Sequence, residues 1–494
     1  MTSTTGRFAT AEDAVGGARR ELGRLYPVVA GVVALGICLW RIGTPTYWRD
    51  ESVSVVVGRS GVSGIREFTG RIDAVHTLYY LLIHLVTEVG TSEVFTRAPS
   101  AVAAALAAAG IAVLGRRLYS ARAGLYGGLL YGLLPITSRY AEEVRQYALV
   151  SAGAVLASYL LLRSLDQQRL RAGWYIAYAA SMGLLGWLHL YALFLLPAHA
   201  VTALLWDRRR LHHLVAWGLA AFAAVAAVLP LVLVARGQEG AQVSWLRRPG
   251  LAAPYDYGLL VAGGGRIVLL ALAAAVVAGA VRLAGRDHRN AAALVVPWLI
   301  VPFVVAWTIS QAHPVYHPRY VLYCVCALAL LAGVGLEAVT ERLTGGLSVA
   351  VLALACLAVA VLPAQLELRE PRSRPDDLRS LAAVLRQRSR PGDAVLYVPA
   401  DQRVFATVYA DAFARLDAAA LHDHGRDLPT DRFRTALGSR SRIWVVEIPP
   451  PGHRYRTPLP LRNLTALRRD GRFTSTGSWA FGGVRLALYS RHGG

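Results

Sequence analysis

"YPVVAGVVALGICLWRIGTPTYWRDES" (26–52) joins an apolar run to a pair of adjacent carboxylates, Asp50 and Glu51. Residues 26–40 carry no charged side chain, and a helix of about 20 such residues spans the hydrocarbon core of a bilayer. A carboxylate held at mid-bilayer would cost about 2.5 to 3.5 kcal/mol on insertion scales. The pair therefore marks the point where the chain leaves a membrane. It is either a polar boundary or the start of a reactive surface.

Working outward, the same pattern repeats. The chain has 494 residues, 55% of them hydrophobic, and a mean hydropathy of +0.41. Apolar runs of about 17 to 22 residues recur from residue 26 to about residue 365, the pattern of a polytopic membrane protein. Helices apolar on every side exclude a soluble globular domain there. The net charge is +21 and every basic residue is arginine, with no lysine in the chain. Those arginines cluster in links between spans and in the C-terminal tail. There they orient the protein and meet anionic lipid, so a nucleic-acid partner is not expected. Schiff-base and Walker lysines are excluded, and any phosphate clamp must use arginine. Cys38, Cys324, Cys326 and Cys356 all fall in apolar runs, which points to small buried residues rather than a disulfide or metal site.

Placing the arginine-rich links in the cytoplasm predicts about eleven spans, near 26–42, 97–115, 122–138, 146–163, 172–189, 190–206, 213–235, 265–284, 291–310, 319–340 and 346–366. The N-terminal tail (1–25) is then cytoplasmic, and the first span is expected to stay as an anchor, without a cleavage pattern before it. "AVHTLYYLLIHLVTEVG" (74–90) would break the alternation, so it is expected to lie as a helix at the outer interface. Residues 43–96 thus form one outer loop. The transmembrane domain runs over 26–366, and residues 367–494 form a small α/β domain outside. In that tail a helix precedes the Pro391-Gly392 turn and a strand, with "RIWVVEIPPP" and "GGVRLALYSR" as further strands. Its expected role is a lid or acceptor-binding module.

Polar residues collect at the outer ends of the spans. The first loop supplies Asp50, Glu51, Asp73 and His76. "SRYAEEVRQYAL" (138–149) supplies Glu143 and Arg145, and "QAHPVYHPRYVLY" (311–323) supplies Arg319 and Tyr320. Guanidiniums bind phosphate through paired hydrogen bonds, and a carboxylate can take a proton from an acceptor hydroxyl. Sugar transfer from a lipid phosphate needs both groups.

"YWRDES", "DAVHTLYYLLIHL", "TRAPS", the segment ending in "YAEEVRQYAL" and "HPRYVLY" occur in the order in which similar motifs occur in the GT-C glycosyltransferases. That group includes the protein O-mannosyltransferases (glycosyltransferase family 39) and the lipid A aminoarabinose transferase. The resemblance covers about residues 25–340, leaving the tail outside, and Thr77-Leu78 stands where the family carries Pro-Pro. It implies an inverting transferase, a hexosyl- or pentosyltransferase of mannosyltransferase-like kind, at the outer face of the cell membrane. Its donor would be a polyprenyl-phosphate sugar, and its acceptor a glycan, lipid or protein. Asp50 matches the catalytic aspartate, with Glu51 beside it. Arg97, Arg145 and Arg319 match candidates for the donor phosphate, while Asp73, His76, Glu143 and Tyr320 fall in the matching substrate-binding motifs. Some relatives bind a divalent cation near the aspartate, and Asp50, His76 and Glu143 would be its ligands here. A flippase for lipid-linked sugars or a polymerase or ligase of surface glycans would share the membrane setting. A transporter would instead place its charges at mid-membrane and show paired halves, and no internal repeat is evident.

Overall fold

The computed structural model describes residues 11–206, 211–242, 246–423, 425–450, 455 and 457–492. A helix occupies each predicted apolar segment. They are Ala11–Leu39, Glu93–Leu118, Ala121–Leu133, Tyr147–Leu165, Ala172–Leu188, Leu195–Trp206, Leu211–Gln242, Arg266–Leu283, Arg289–Ala312, Cys324–Thr340 and Gly346–Leu368. Six of the described helices are long and apolar enough to cross a membrane by length and composition. Large apolar side chains such as Val351, Leu352 and Val359 on Gly346–Leu368, and Ile267 and Leu270 on Arg266–Leu283, are exposed on its outside. A bilayer accounts for a surface of that kind, which water would penalise.

Local signals set the breaks. Ser92 and Ser120 cap their helices by accepting from Phe95 N and Ala123 N. The predicted span 122–138 is interrupted after Leu133, because Pro135 cannot continue the hydrogen-bond ladder and instead starts a short helix, Pro135–Ala141. Cys324–Thr340 is buried on nearly every face. Its backbone nests directly against its neighbours: a Cβ on Gly335 would lie 1.8 Å from Ala275 O, and one on Gly333 would lie 2.4 Å from Gly127 N. Small residues permit this approach where packing, not water, drives helix association. The helix therefore presents the loop before it, residues 318–321, at a set position.

The outer loop holds more helix than the sequence suggested. Besides the expected helix at Thr77–Val89, it forms Arg49–Arg59 and Gly61–Arg71. "SVSVVV" has a strand-like composition, yet Val53, Val55 and Val57 are all buried on a helix. Tertiary packing overrides propensity there, and Asp50 and Glu51 in the first turn favour the helix through its dipole.

The tail forms the expected α/β unit. Its five-stranded sheet has the order Leu416–Asp417, Asp393–Val398, Arg442–Glu447, Val484–Arg491, Phe473–Phe481. The first three strands run parallel and the rest antiparallel. The tail does not stand apart as a lid. Tyr47, Val53, Val57, Tyr79 and Ile83 of the outer loop share one apolar core with Leu381, Trp444 and Leu486 of the tail. Ion pairs and hydrogen bonds stitch the same seam, including Arg379 to Glu93 (2.7 Å) and Tyr409 OH to Glu93 (2.9 Å).

Candidate active site

Asp50 lies in the first turn of Arg49–Arg59, and its Oδ2 accepts from Arg319 Nη1 at 2.8 Å. Its side chain remains 24% exposed, so the carboxylate is paired but reachable. Arg319 comes from the turn Pro318–Val321, where His317 Nδ1 accepts the Arg319 backbone N–H. Arg145 reaches the same helix from the second loop: its Nη1 lies 3.4 Å from Asp50 O and 3.5 Å from Ser54 Oγ. Its Nη2 lies 3.3 Å from His76 Nε2. Behind His76, Asp73 Oδ1 is 3.5 Å from Nδ1, and Tyr80 OH donates to Asp73 Oδ2 at 2.9 Å. One continuous polar chain thus joins Arg319, Asp50, Arg145, His76, Asp73 and Tyr80, drawn from three separate loops.

The electrostatics follow from this crowding. Burial alone would raise the Asp50 carboxyl, but the charges of Arg319 and Arg145 and the hydrogen bond from Arg319 hold it below the usual carboxylate range. For Asp73, burial is likewise outweighed, by His76, Arg145 and Tyr80, and the carboxyl falls to about 2. Burial and the Arg145 charge lower the His76 ring against the pull of Asp73 and Asp50. A neutral His76 fits the contacts: a guanidinium donating to Nε2 requires the lone pair there, which leaves the proton on Nδ1 facing Asp73.

Aromatic rings line the Arg319 side. The guanidinium sits 5.7 Å from the Tyr147 ring centroid and 5.6 Å from that of Tyr320. Tyr320 stacks on Tyr191 at 5.0 Å and meets the edge of His189 at 5.2 Å. His189 sits in the break between two helices, and its Nδ1 accepts from Tyr191 N at 3.2 Å. Tyr147, Tyr191, His189 and Tyr80 were not among the predicted site residues. The available signal was the aromatic content of "HLY" (189–191) and "RQY" (145–147), but neighbouring rings cannot be assigned to one wall before the helices are packed.

The structure brings together Asp50, Asp73, His76, Arg145, Arg319 and Tyr320, and it removes three residues from that set. Glu51 is fully buried and forms a two-pronged pair with Arg97, Nε to Oε1 at 2.8 Å and Nη2 to Oε2 at 2.9 Å, while Val144 N donates to Oε1. It has no access to substrate. Arg97 is equally sealed, with Nη1 and Nη2 also donating to the carbonyls of Ile42, Pro45 and Thr46, so no face is left for a phosphate. Glu143 is buried against Arg139 at 3.0 Å and Arg374 at 3.6 Å. The trio Asp50, His76 and Glu143 therefore does not form a metal site. Among the described residues no three His, Cys, Asp or Glu side chains converge on a point. The donor set does not fit a divalent cation either: Arg319 holds the Asp50 oxygen, and Arg145 points a positive group at the His76 lone pair. Asp73 stands just before the turn Ala74–His76. Its φ of +62° places it in the left-handed region, and its side chain caps nothing but instead holds Tyr80 and His76.

The sequence pattern of the dolichyl-phosphate-mannose-protein mannosyltransferase family matches residues 77–233. No curated protein sequence matches the chain. Solved structures extend the likeness. ArnT from Cupriavidus metallidurans bound to undecaprenyl phosphate superposes with a TM-score of 0.63 at 15% identity, covering 93% of this chain and 97% of that one. The Archaeoglobus fulgidus oligosaccharyltransferase AglB, in complex with an inhibitory peptide and a dolichol-phosphate, gives 0.54 at 11% identity over 86% of this chain and 69% of that one. The mycobacterial arabinofuranosyltransferase AftD gives 0.50 at 13% identity over 95% of this chain and 40% of that one. Coverage of 93% must reach well into the tail, so at the level of fold the likeness extends past the transmembrane motifs. The family pattern thus runs through the middle of the chain, and the fold is similar over nearly all of it to those of ArnT and AglB.

Proposed function

We propose that the protein transfers a sugar from a polyprenyl-phosphate donor to a hydroxyl acceptor at the outer surface of the cell membrane, with inversion and with Asp50 as general base. One observation carries the reading: a reachable carboxylate bound to an arginine, with a second guanidinium behind it, where long apolar helices end. ArnT bound to undecaprenyl phosphate and AglB with dolichol-phosphate support a lipid-phosphate donor. The family pattern favours mannose or a similar sugar. The acceptor is a glycan, lipid or protein.

The geometry suits the chemistry. A phosphate leaves as an anion without needing a proton, so the one proton to manage is on the acceptor hydroxyl. A carboxylate held below its usual range is ionised but a weak base. A donor phosphate drawing Arg319 to itself would leave Asp50 with one neighbouring cation fewer, and so more basic when the acceptor arrives. Arg319 and Arg145 would then face the charge that grows on the departing phosphate. Tyr320, Tyr191 and Tyr147 offer ring faces to the sugar. In this arrangement the N-terminus is cytoplasmic and the tail lies outside.

The test is release of polyprenyl phosphate and transfer of label by the purified protein in vesicles, supplied in turn with polyprenyl-phosphate mannose and arabinose. Consumption of a labelled donor that stops in Asp50→Asn supports the proposal. Undiminished consumption by that variant overturns the base assignment, and a C-terminal reporter active only in the cytoplasm overturns the topology.

A further inference from the structure

Helices begin with backbone N–H groups that lack a partner, and Ser, Thr, Asp or Asn just before the helix normally accepts from one of them. The helix carrying Asp50 starts after Trp48, which has no acceptor to offer, and no side chain caps it locally. The acceptor comes from the tail. Asp376 Oδ2 accepts from Arg49 N at 3.2 Å and from Arg49 Nε at 2.9 Å, while Oδ1 accepts from Arg49 Nη2 at 2.9 Å. The Asp376 side chain is wholly buried. Arg49 Nη1 donates to Pro449 O, again in the tail, at 2.9 Å.

The tail is shaped around this grip. Asp376 bridges to Gly482, Gly483 N donates to Pro375 O at 2.9 Å, and Asp377 N donates to Phe481 O at 3.2 Å. Gly482, at φ +64°, adopts a conformation that favours glycine. A Cβ on Gly483 would lie 2.5 Å from Asp376 Oδ1 and 2.9 Å from Arg49 Nη2, so the turn between the last two strands must be bare to admit the pair.

We infer that Asp376, through Arg49, is a positioning residue for Asp50: the tail caps the catalytic helix across the domain seam and holds its first turn in register with Arg319. The inference rests on Asp50 acting as the base. With its Nε, Nη1 and Nη2 engaged by the tail, Arg49 is kept from competing with Arg319 for the neighbouring Asp50 carboxylate. The tail thereby has a role in turnover without touching substrate.

The experiment uses the full-length protein in vesicles and the variants Asp376→Ala and Asp376→Asn. Asp376→Ala is expected to lower kcat about tenfold while the donor KM stays within about threefold, the signature of a lost alignment rather than lost binding. Asp376→Asn keeps an oxygen for the Arg49 N–H and should recover part of the loss. Placed on Asp50→Asn, Asp376→Ala should add no further loss to residual transfer, because it acts through Asp50. Amide exchange should quicken over residues 49–59 and stay unchanged in strands 393–398 and 442–447. An unchanged kcat in Asp376→Ala, a further equal loss on the Asp50→Asn background, or faster exchange throughout the tail would each overturn the inference. If Asp50→Asn alone keeps full turnover, the base assignment fails, and exchange over 49–59 still decides whether Asp376 caps the helix.

Discussion

Asp50 and Glu51 are neighbours in sequence, and each is bonded to an arginine at 2.8 Å, yet the two pairs differ in what surrounds them. The Glu51–Arg97 pair is wholly buried and saturated with hydrogen bonds. The Asp50–Arg319 pair keeps 24% and 12% of its side chains exposed and opens onto rings and polar groups from three loops. An α-helix turns by about 100° per residue, so one carboxylate of an adjacent pair faces the packed seam while the other faces the opening. The lesson is that the buried pair builds the site and the open pair can react in it. A buried pair is also costly to break, since removing one partner strands the other charge.

The most severe way to break that contrast is to neutralise each acid in turn. Asp50→Asn should cut transfer by about 10² to 10⁴ with an unchanged melting temperature in detergent. Glu51→Gln should do the reverse, lowering stability by about 3 to 5 kcal/mol while the protein that remains folded retains most of its turnover. Thermal unfolding and labelled-sugar transfer at matched protein levels separate the two. A Glu51→Gln protein with normal stability and lost turnover would restore Glu51 to the chemistry.

Arg319→Ala sharpens the comparison from the cation's side. A charged hydrogen bond to phosphate contributes about 1.5 to 3 kcal/mol, so use of the donor should weaken about tenfold or more. The same change acts on pH dependence. Arg319 helps hold the Asp50 carboxyl below its usual range. Without it the folded pKa rises, and activity that needs the ionised form is lost at a higher pH as acid is added. The acid limb of the residual rate should therefore move upward, and an unmoved limb would separate Arg319 from Asp50.

The smallest effect is expected at the far end of the polar chain. Tyr80→Phe deletes one hydrogen bond to Asp73 and should lower stability by about 1 kcal/mol. Turnover should change little, because His76 still stands between Asp73 and Arg145. A large loss of turnover would mean that the whole chain, and not Asp50 with its arginines, is the reactive unit.

What could be read from the residues alone was the class and the frame. Apolar run length located the long apolar helices, arginine-rich segments marked the links between them, and the order of short motifs pointed to Asp50, Arg145 and Arg319 but equally to Glu51, Arg97 and Glu143. These are local properties, and span length and charge are legible without knowing any neighbour. Which side of a helix a residue faces is different, because it depends on what packs there. Residues 50 and 51 look equivalent in "RDES" until Arg97 and Val144 close over one of them. Arg97 and Arg319 both head apolar helices, and only the seam with the outer loop buries the first. The tyrosines and His189 belong to one wall because Cys324–Thr340 packs against its neighbours through bare glycines. Asp376 and Arg49 lie far apart in the chain and meet because outer loop and tail share a single apolar core. Tertiary structure decided these points, since burial and partnership belong to pairs of surfaces and no single stretch of sequence contains both.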